Sequence, residues 1–248
     1  MTGSFSNDSH RLLHQEQKQR KLLQPRPLRF GPISHLLLLG SVLVIAGPIG
    51  CSDLLKQPAQ AKTLFSIEPG LPDASLLAPP TSAIATGTVL QVRPVRISPP
   101  FDGVEFVYQT APSQFSLDYY NNFVASPSAL FSEALLAWLE KAGPLPTVGA
   151  GTSVRSDLML ECEINKLLID FTDRTKPHAV IAARFLLYSN RTGTALVLLD
   201  SSYEVSKPLT FNSPAGYSSA WGMAFREILQ KLEVNIRHSL SSSGYAAE

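Results

Sequence analysis

Histidine and cysteine are scarce in this chain, and their scarcity removes several chemistries at once. The 248 residues include five histidines and two cysteines, Cys51 and Cys162. Beyond residue 50 only His178 and His238 remain, and neither stands at metal-ligand spacing from a cysteine or another histidine. No metal site and no cofactor is therefore expected. A G-x-S-x-G nucleophile elbow is missing. The glycine-rich stretch Thr147-Val148-Gly149-Ala150-Gly151-Thr152-Ser153 lacks the lysine and spaced glycines of a phosphate loop, and it leads into a strand pattern rather than a helix. Charge of one sign is also lacking, with a formal net of +1. An uncharged run does exist from Leu36 to Gly50, but at 15 residues it falls short of the roughly 20 that a membrane-spanning helix needs.

What charge there is has been sorted along the chain. Residues 1–50 hold six basic side chains (Arg11, Lys18, Arg20, Lys21, Arg26, Arg29) against Asp8 and Glu16, which leaves 15 basic and 18 acidic residues for 51–248. A mildly acidic body does not suit nucleic acid, whose phosphates select for clustered Lys and Arg. Basic residues followed by a short apolar run, then by small and polar residues, are the pattern of a leader with a charged n-region and an h-region. The length favours a cleaved leader over a single inner-membrane span.

The apolar run ends on Pro48-Ile49-Gly50-Cys51. This resembles the lipobox of bacterial lipoproteins, cut just before a cysteine that carries diacylglycerol, although Pro48 stands where leucine is usual. Cys51 is accordingly expected to be the lipid attachment site, and Ser52 after it implies the outer membrane, facing the periplasm. A Cys51–Cys162 disulfide in an exported protein is the alternative. Cys162, however, sits on the apolar side of a strand pattern and reads as a small core residue. The expected organisation is a signal peptide over 1–50, a tether over 51–62 and one domain over 63–242.

Within that domain the hydrophobic periods alternate between two and 3.6. Thr63–Ile67 alternates weakly, as a first strand would. Residues 69–87 contain four prolines and read as a loop. Thr88–Ile97 is β-branched, and Pro94 within it requires either a sheet edge or a bulge. Residues 104–110 and 114–120 alternate around "APS" and predict a hairpin. Ser126-Pro127 can cap and start a helix whose Leu130, Phe131, Ala134, Leu135, Trp138 and Leu139 share a face, ending at Gly143-Pro144. Ser156–Phe171 is a long strand whose alternation slips after Lys166, a sign of a bulge. Strands at 179–188 and 194–205 complete a meander. A last helix starts at Ser213-Pro214 and carries Tyr217, Trp221, Ala224, Phe225, Ile228, Leu232, Ile236 and Leu240 on one face. The expected fold is α+β, one domain with a mostly antiparallel sheet and two long amphipathic helices.

Residues 90–143 bear a resemblance to a known family. Their marks are Val95-Arg96-Ile97-Ser98-Pro99, Val107-Tyr108, Asp118-Tyr119-Tyr120-Asn121-Asn122-Phe123 and Pro127. The later order of elements, with "SKPL" at 206–209 before the terminal helix, fits too. The chain resembles the ABC-type transport auxiliary lipoprotein family, the PqiC-like proteins. That resemblance implies a non-enzymatic envelope subunit of a system moving lipids or other hydrophobic molecules between bacterial membranes. Its implied partners are an MCE-domain substrate-binding protein, an ABC permease and an ATPase, and it allows a homo-oligomer. The competing reading is a lipid-anchored or secreted enzyme with an unmarked site. For a binding protein, the segment around Tyr119 and Tyr120 and the strand broken by Pro94 are the candidate partner-binding surfaces. Tyrosine offers apolar area with a polar tip.

Overall fold

The spine of the fold is one long strand, reached by the chain after a helical crossover. The computed structural model describes residues 61–70, 72, 87–189, 191 and 194–243. Cys51, the leader and most of the proline-rich stretch lie outside the described residues. Among the described residues nine strands and two α-helices follow in order, with one 3-10 turn at Pro99–Phe101: β1 (Thr63–Phe65), β2 (Leu90–Val92), β3 (Arg96–Ile97), β4 (Glu105–Ala111), β5 (Gln114–Phe123), α1 (Pro127–Ala142), β6 (Thr147–Gly149), β7 (Leu158–Asp170), β8 (His178–Ser189), β9 (Leu196–Pro208) and α2 (Pro214–Ser242).

Strand β7 pairs antiparallel with β8 along its whole length, and β8 with β9, which is the expected meander. Its other edge takes β2, β3 and β4 one after another, all parallel to it. β2 also pairs parallel with β6, and β1 parallel with β5. The sheet is therefore mixed, which corrects the expectation of a mostly antiparallel one. The physical reason is the crossover through α1. After the antiparallel β4–β5 hairpin, the helix returns the chain so that β7 runs in the direction of β2 to β4. Local alternation reveals hairpins, whereas a crossover partner far along the sequence leaves no local mark.

The break at Pro94 has a visible resolution. Val92 lies beside Leu160 and Arg96 beside Glu163, so β2–β3 carries one residue more than β7 across the proline. The extra residue is a bulge, and β6 flanks only Leu90–Val92, while β3 beyond the proline pairs with β7 alone. The Val95 N–H freed by the break donates to Ser132 Oγ of α1 at 2.7 Å. The expected slip in β7 is also present, as a register shift between Ile164 and Lys166.

Both helices form for the reasons legible in their sequences. Ser126 Oγ accepts from the Ala129 N–H and Ser213 Oγ from the Gly216 N–H, each with proline in the first turn. α2 lies on β8 and β9 and buries its whole predicted stripe. Trp221 donates from Nε1 to the Leu168 carbonyl at 3.1 Å, and Phe225 meets Phe131 of α1 edge-on at 4.7 Å. The predicted pairs Glu227–Lys231 and Glu233–Arg237 close at 2.7 and 3.0 Å. Arg237 also donates to the Ala142 carbonyl at the end of α1, where a cation is favoured. Gly222 is required where α2 meets residues 66–70, since a Cβ there would stand 2.5 Å from the Glu68 carbonyl oxygen. Cys162 is buried in the core, and burial pushes its thiol well above the ordinary value.

Candidate functional site at the edge of strand β5

The β4–β5 hairpin carries a bulge directly opposite its buried side. Glu105 pairs with Asn122 and Val107 with Leu117, so a single residue of β4 faces Asp118, Tyr119, Tyr120 and Asn121. Asp118 holds this excursion in place. Its carboxylate accepts the backbone N–H of Tyr120 at 2.9 Å and of Asn121 at 3.0 Å, and the Asn121 amide at 2.8 Å. The Tyr108 hydroxyl donates to the same carboxylate oxygen as the Asn121 amide. Partial burial opposes the charge on Asp118, but the bonds from Tyr108, Asn121 and the Tyr120 and Asn121 N–H groups outweigh it and hold the carboxyl below its ordinary value. Tyr108 moves the opposite way, raised by burial and by the Asp118 carboxylate.

What the bulge displays is the Tyr119–Tyr120 pair, the two partner-binding candidates. Their rings meet at 5.1 Å, nearly perpendicular, and they are 67% and 42% exposed. Lys62 Nζ stands 4.8 Å from the Tyr119 ring centre. Tyr108, Phe171 and Tyr217 form one aromatic triangle, and Phe65, Phe106, Phe123 and Trp221 form a second cluster within the core. Among the described residues no strand lies beside the outer edge of β5 from Gln114 to Tyr120, because β1 reaches only Asn121–Phe123. The site is thus a strand edge unpaired among the described residues beside a pair of propped tyrosines, the kind of edge that offers free N–H and C=O groups.

Asp118→Asn tests the prop. Losing charge-assisted bonds at a half-exposed site should cost about 1–2 kcal/mol of unfolding free energy at pH 7. Because the folded-state value is lowered, the wild-type advantage is complete above the ordinary carboxylate range and is lost as pH falls through that lowered value. Urea denaturation of both proteins should show the gap at pH 7 narrowing as the pH is taken below the ordinary carboxylate range. A gap independent of pH would show that the carboxylate charge is not what holds the bulge.

His178 faces the Lys176 carbonyl through Nδ1 at 3.1 Å and the Asp170 carboxylate through Nε2 at 3.6 Å. It borders a groove of about 490 Å³ at the end of β8 and β9, with Thr175, Pro177 and Leu209. Asp170 and Asp173 each close a turn onto a threonine, Thr172 and Thr175, through both N–H and hydroxyl. His238 is exposed near the end of α2. The glycine-rich stretch becomes β6 and a turn at Gly151, whose φ of +87° glycine alone adopts easily. Among the described residues no three His, Cys, Asp or Glu side chains gather to hold a metal ion.

The model of the ABC-type transport auxiliary lipoprotein component family matches residues 71–233, from the proline-rich stretch through most of α2. The chain belongs to that family. Membership makes it an auxiliary component of ABC-type transport, and the family's lipoprotein character implies a place in the cell envelope. Cys51 lies outside the matched residues. XCC0632 from Xanthomonas campestris, a DUF330 protein, superposes with a TM-score of 0.56 at 16% identity, over 73% of this chain and 97% of its own. A second crystal structure, of an uncharacterised protein, gives 0.54 at 15% identity, over 71% of this chain and 99% of its own. Likeness at such identity concerns the fold alone. No curated protein matches the chain.

Sequence reasoning placed the tyrosines but missed their neighbours. Phe115 and Leu117 alternate as core residues do, yet they are 49% and 64% exposed. Asp118 stands among the marks of the resemblance, but as a polar position within the alternation it gives no sign of the bulge it holds.

Proposed function

We propose that this chain is a non-enzymatic, lipid-anchored envelope subunit of an ABC/MCE-type transport system that moves lipids or other hydrophobic molecules between bacterial membranes. The observation that carries the reading is the family match over 71–233. The open β5 edge with its tyrosine pair supports it, as a docking surface rather than a reaction site. In this reading residues 1–50 are a leader, Cys51 carries the lipid, 51–62 form the tether and 63–242 the interaction domain. Ser52 assigns it to the outer membrane, facing the periplasm. Its partners are the MCE-domain substrate-binding protein and, through it, the permease and ATPase. A homo-oligomer is compatible with the same exposed edge.

Tyr120→Ala is the test of the docking surface. A central aromatic in an interface contributes about 1–3 kcal/mol, so affinity for the purified MCE-domain partner should fall roughly tenfold. The ring is exposed, so the melting temperature should stay within about 2 °C of wild type. Unchanged affinity, or a fall in stability without a specific loss of binding, would remove this surface from the account.

A further inference from the structure

Among the described residues, the face of the β1–β5–β4 layer turned away from the helices is apolar and open along β5, although Phe101, just before β4, meets Phe115 edge-on at 6.2 Å and Val107 and Asn122 on it are buried. Pairing places Leu64 beside Asn122, Val107 beside Leu117, and Gln109 beside Phe115. Pairing and alternation then set Leu64, Leu117 and Phe115 on one face, with Val124 directly after β5, while Phe65, Phe106 and Phe123 take the other and pack around Trp221. Leu64, Val124, Leu117 and Phe115 are 56%, 54%, 64% and 49% exposed. Farther along the same face, over β7 to β9, the surface changes character. There Arg184 pairs with Asp200 at 2.6 Å, Lys166 with Glu204 at 2.9 Å and Arg96 with Glu161 at 3.5 Å. A charged ladder of this kind belongs in water, whereas four large apolar side chains on adjoining strands mark a contact.

We propose that this apolar face rests on the lipid bilayer, as a second and shallow membrane contact beside the anchor at Cys51. The inference rests on the anchored reading given above. The occupant follows from where the chain enters the domain. Twelve residue steps separate Cys51 from Thr63, a leash of at most about 40 Å when fully extended. That leash runs straight into β1, whose Leu64 belongs to the face. No other part of the domain is nearer the anchor along the chain. The margin has the matching chemistry: Lys62 over the Tyr119 ring places a cation and an amphipathic aromatic at the level of lipid headgroups. A domain so seated turns α1 and α2 away from the membrane and sets the Tyr119–Tyr120 bulge at the rim. One acid, Glu105, shares the face and is half-buried.

The experiment uses the full mature lipoprotein reconstituted into vesicles of phosphatidylethanolamine and phosphatidylglycerol. A reporter fluorophore is attached at Leu117→Cys, Val124→Cys or Val234→Cys. Cys162 is buried and does not compete, and all three sites are more than half exposed, so labelling spares the core. Val234 lies on α2 and serves as the control. Doxyl-bearing lipids should quench the probes at 117 and 124 several-fold more than the probe at 234. Equal, weak quenching at all three, with the protein floating with the vesicles, would overturn the proposal while leaving the anchor intact. Shielding of the 117 probe only on addition of the MCE-domain partner would overturn it too, and would assign the face to protein. Failure to float at all would remove the anchor, and the bilayer contact with it.

Discussion

Truncating Phe225 to alanine should lower the free energy of unfolding by about 3–5 kcal/mol. Phe225 is fully buried, and its ring stands perpendicular to that of Phe131, joining α2 to α1 over the sheet. Removing it deletes apolar surface and leaves a void that Leu229 and Trp221, themselves fully buried, cannot fill without leaving their own places. Val234→Ala, on the same helix but 65% exposed, should stay within about 0.5 kcal/mol of wild type. Urea denaturation of the two variants checks both values. A loss below about 1 kcal/mol for Phe225→Ala would mean that the buried stripe of α2 does not carry the packing assigned to it.

Cys51→Ala should move the protein out of the membrane fraction, or leave it unprocessed with its leader attached. The chain offers one thiol directly after the Leu36–Gly50 run, and the only other, Cys162, is locked in the core. Each buried methylene of an acyl chain contributes about 0.8 kcal/mol, so several chains on one cysteine hold a protein stably at a bilayer, where a single chain does not. Fractionation of cells expressing wild type and variant, with the mass of the mature N-terminus, gives the answer. A variant that matures and fractionates like wild type would refute lipidation at Cys51.

How much of this was legible in the sequence depends on the range of the interaction. Caps, stripes and hairpins are written within a few residues, and the Ser126 and Ser213 caps, the stripe from Tyr217 to Leu240 and the β4–β5 hairpin all stand where periodicity put them. The slip after Lys166 was readable because a bulge inverts alternation within one strand. Pro94 marked a disruption correctly, but whether it meant edge or bulge depended on β6 and β7, far along the chain. The parallel pairings escaped for the same reason. At the site, Tyr119 and Tyr120 were singled out by composition, while their display depends on Asp118 receiving the hydroxyl of Tyr108 across the hairpin. Phe115 and Leu117 show the limit of a pattern argument. Alternation tells which residues share a face, and only the fold tells whether anything covers it.

The central claim is that this domain works by binding within a transport assembly and carries no reaction of its own. Affinity isolation of the tagged full-length protein from its native envelopes, after mild cross-linking, tests this most directly. The account predicts that an MCE-domain protein and the permease and ATPase of an ABC system are recovered with wild type, and that Tyr120→Ala recovers markedly less of them at equal abundance. Recovery of the protein without any such subunit, together with turnover by the purified protein that one polar substitution abolishes, would contradict it.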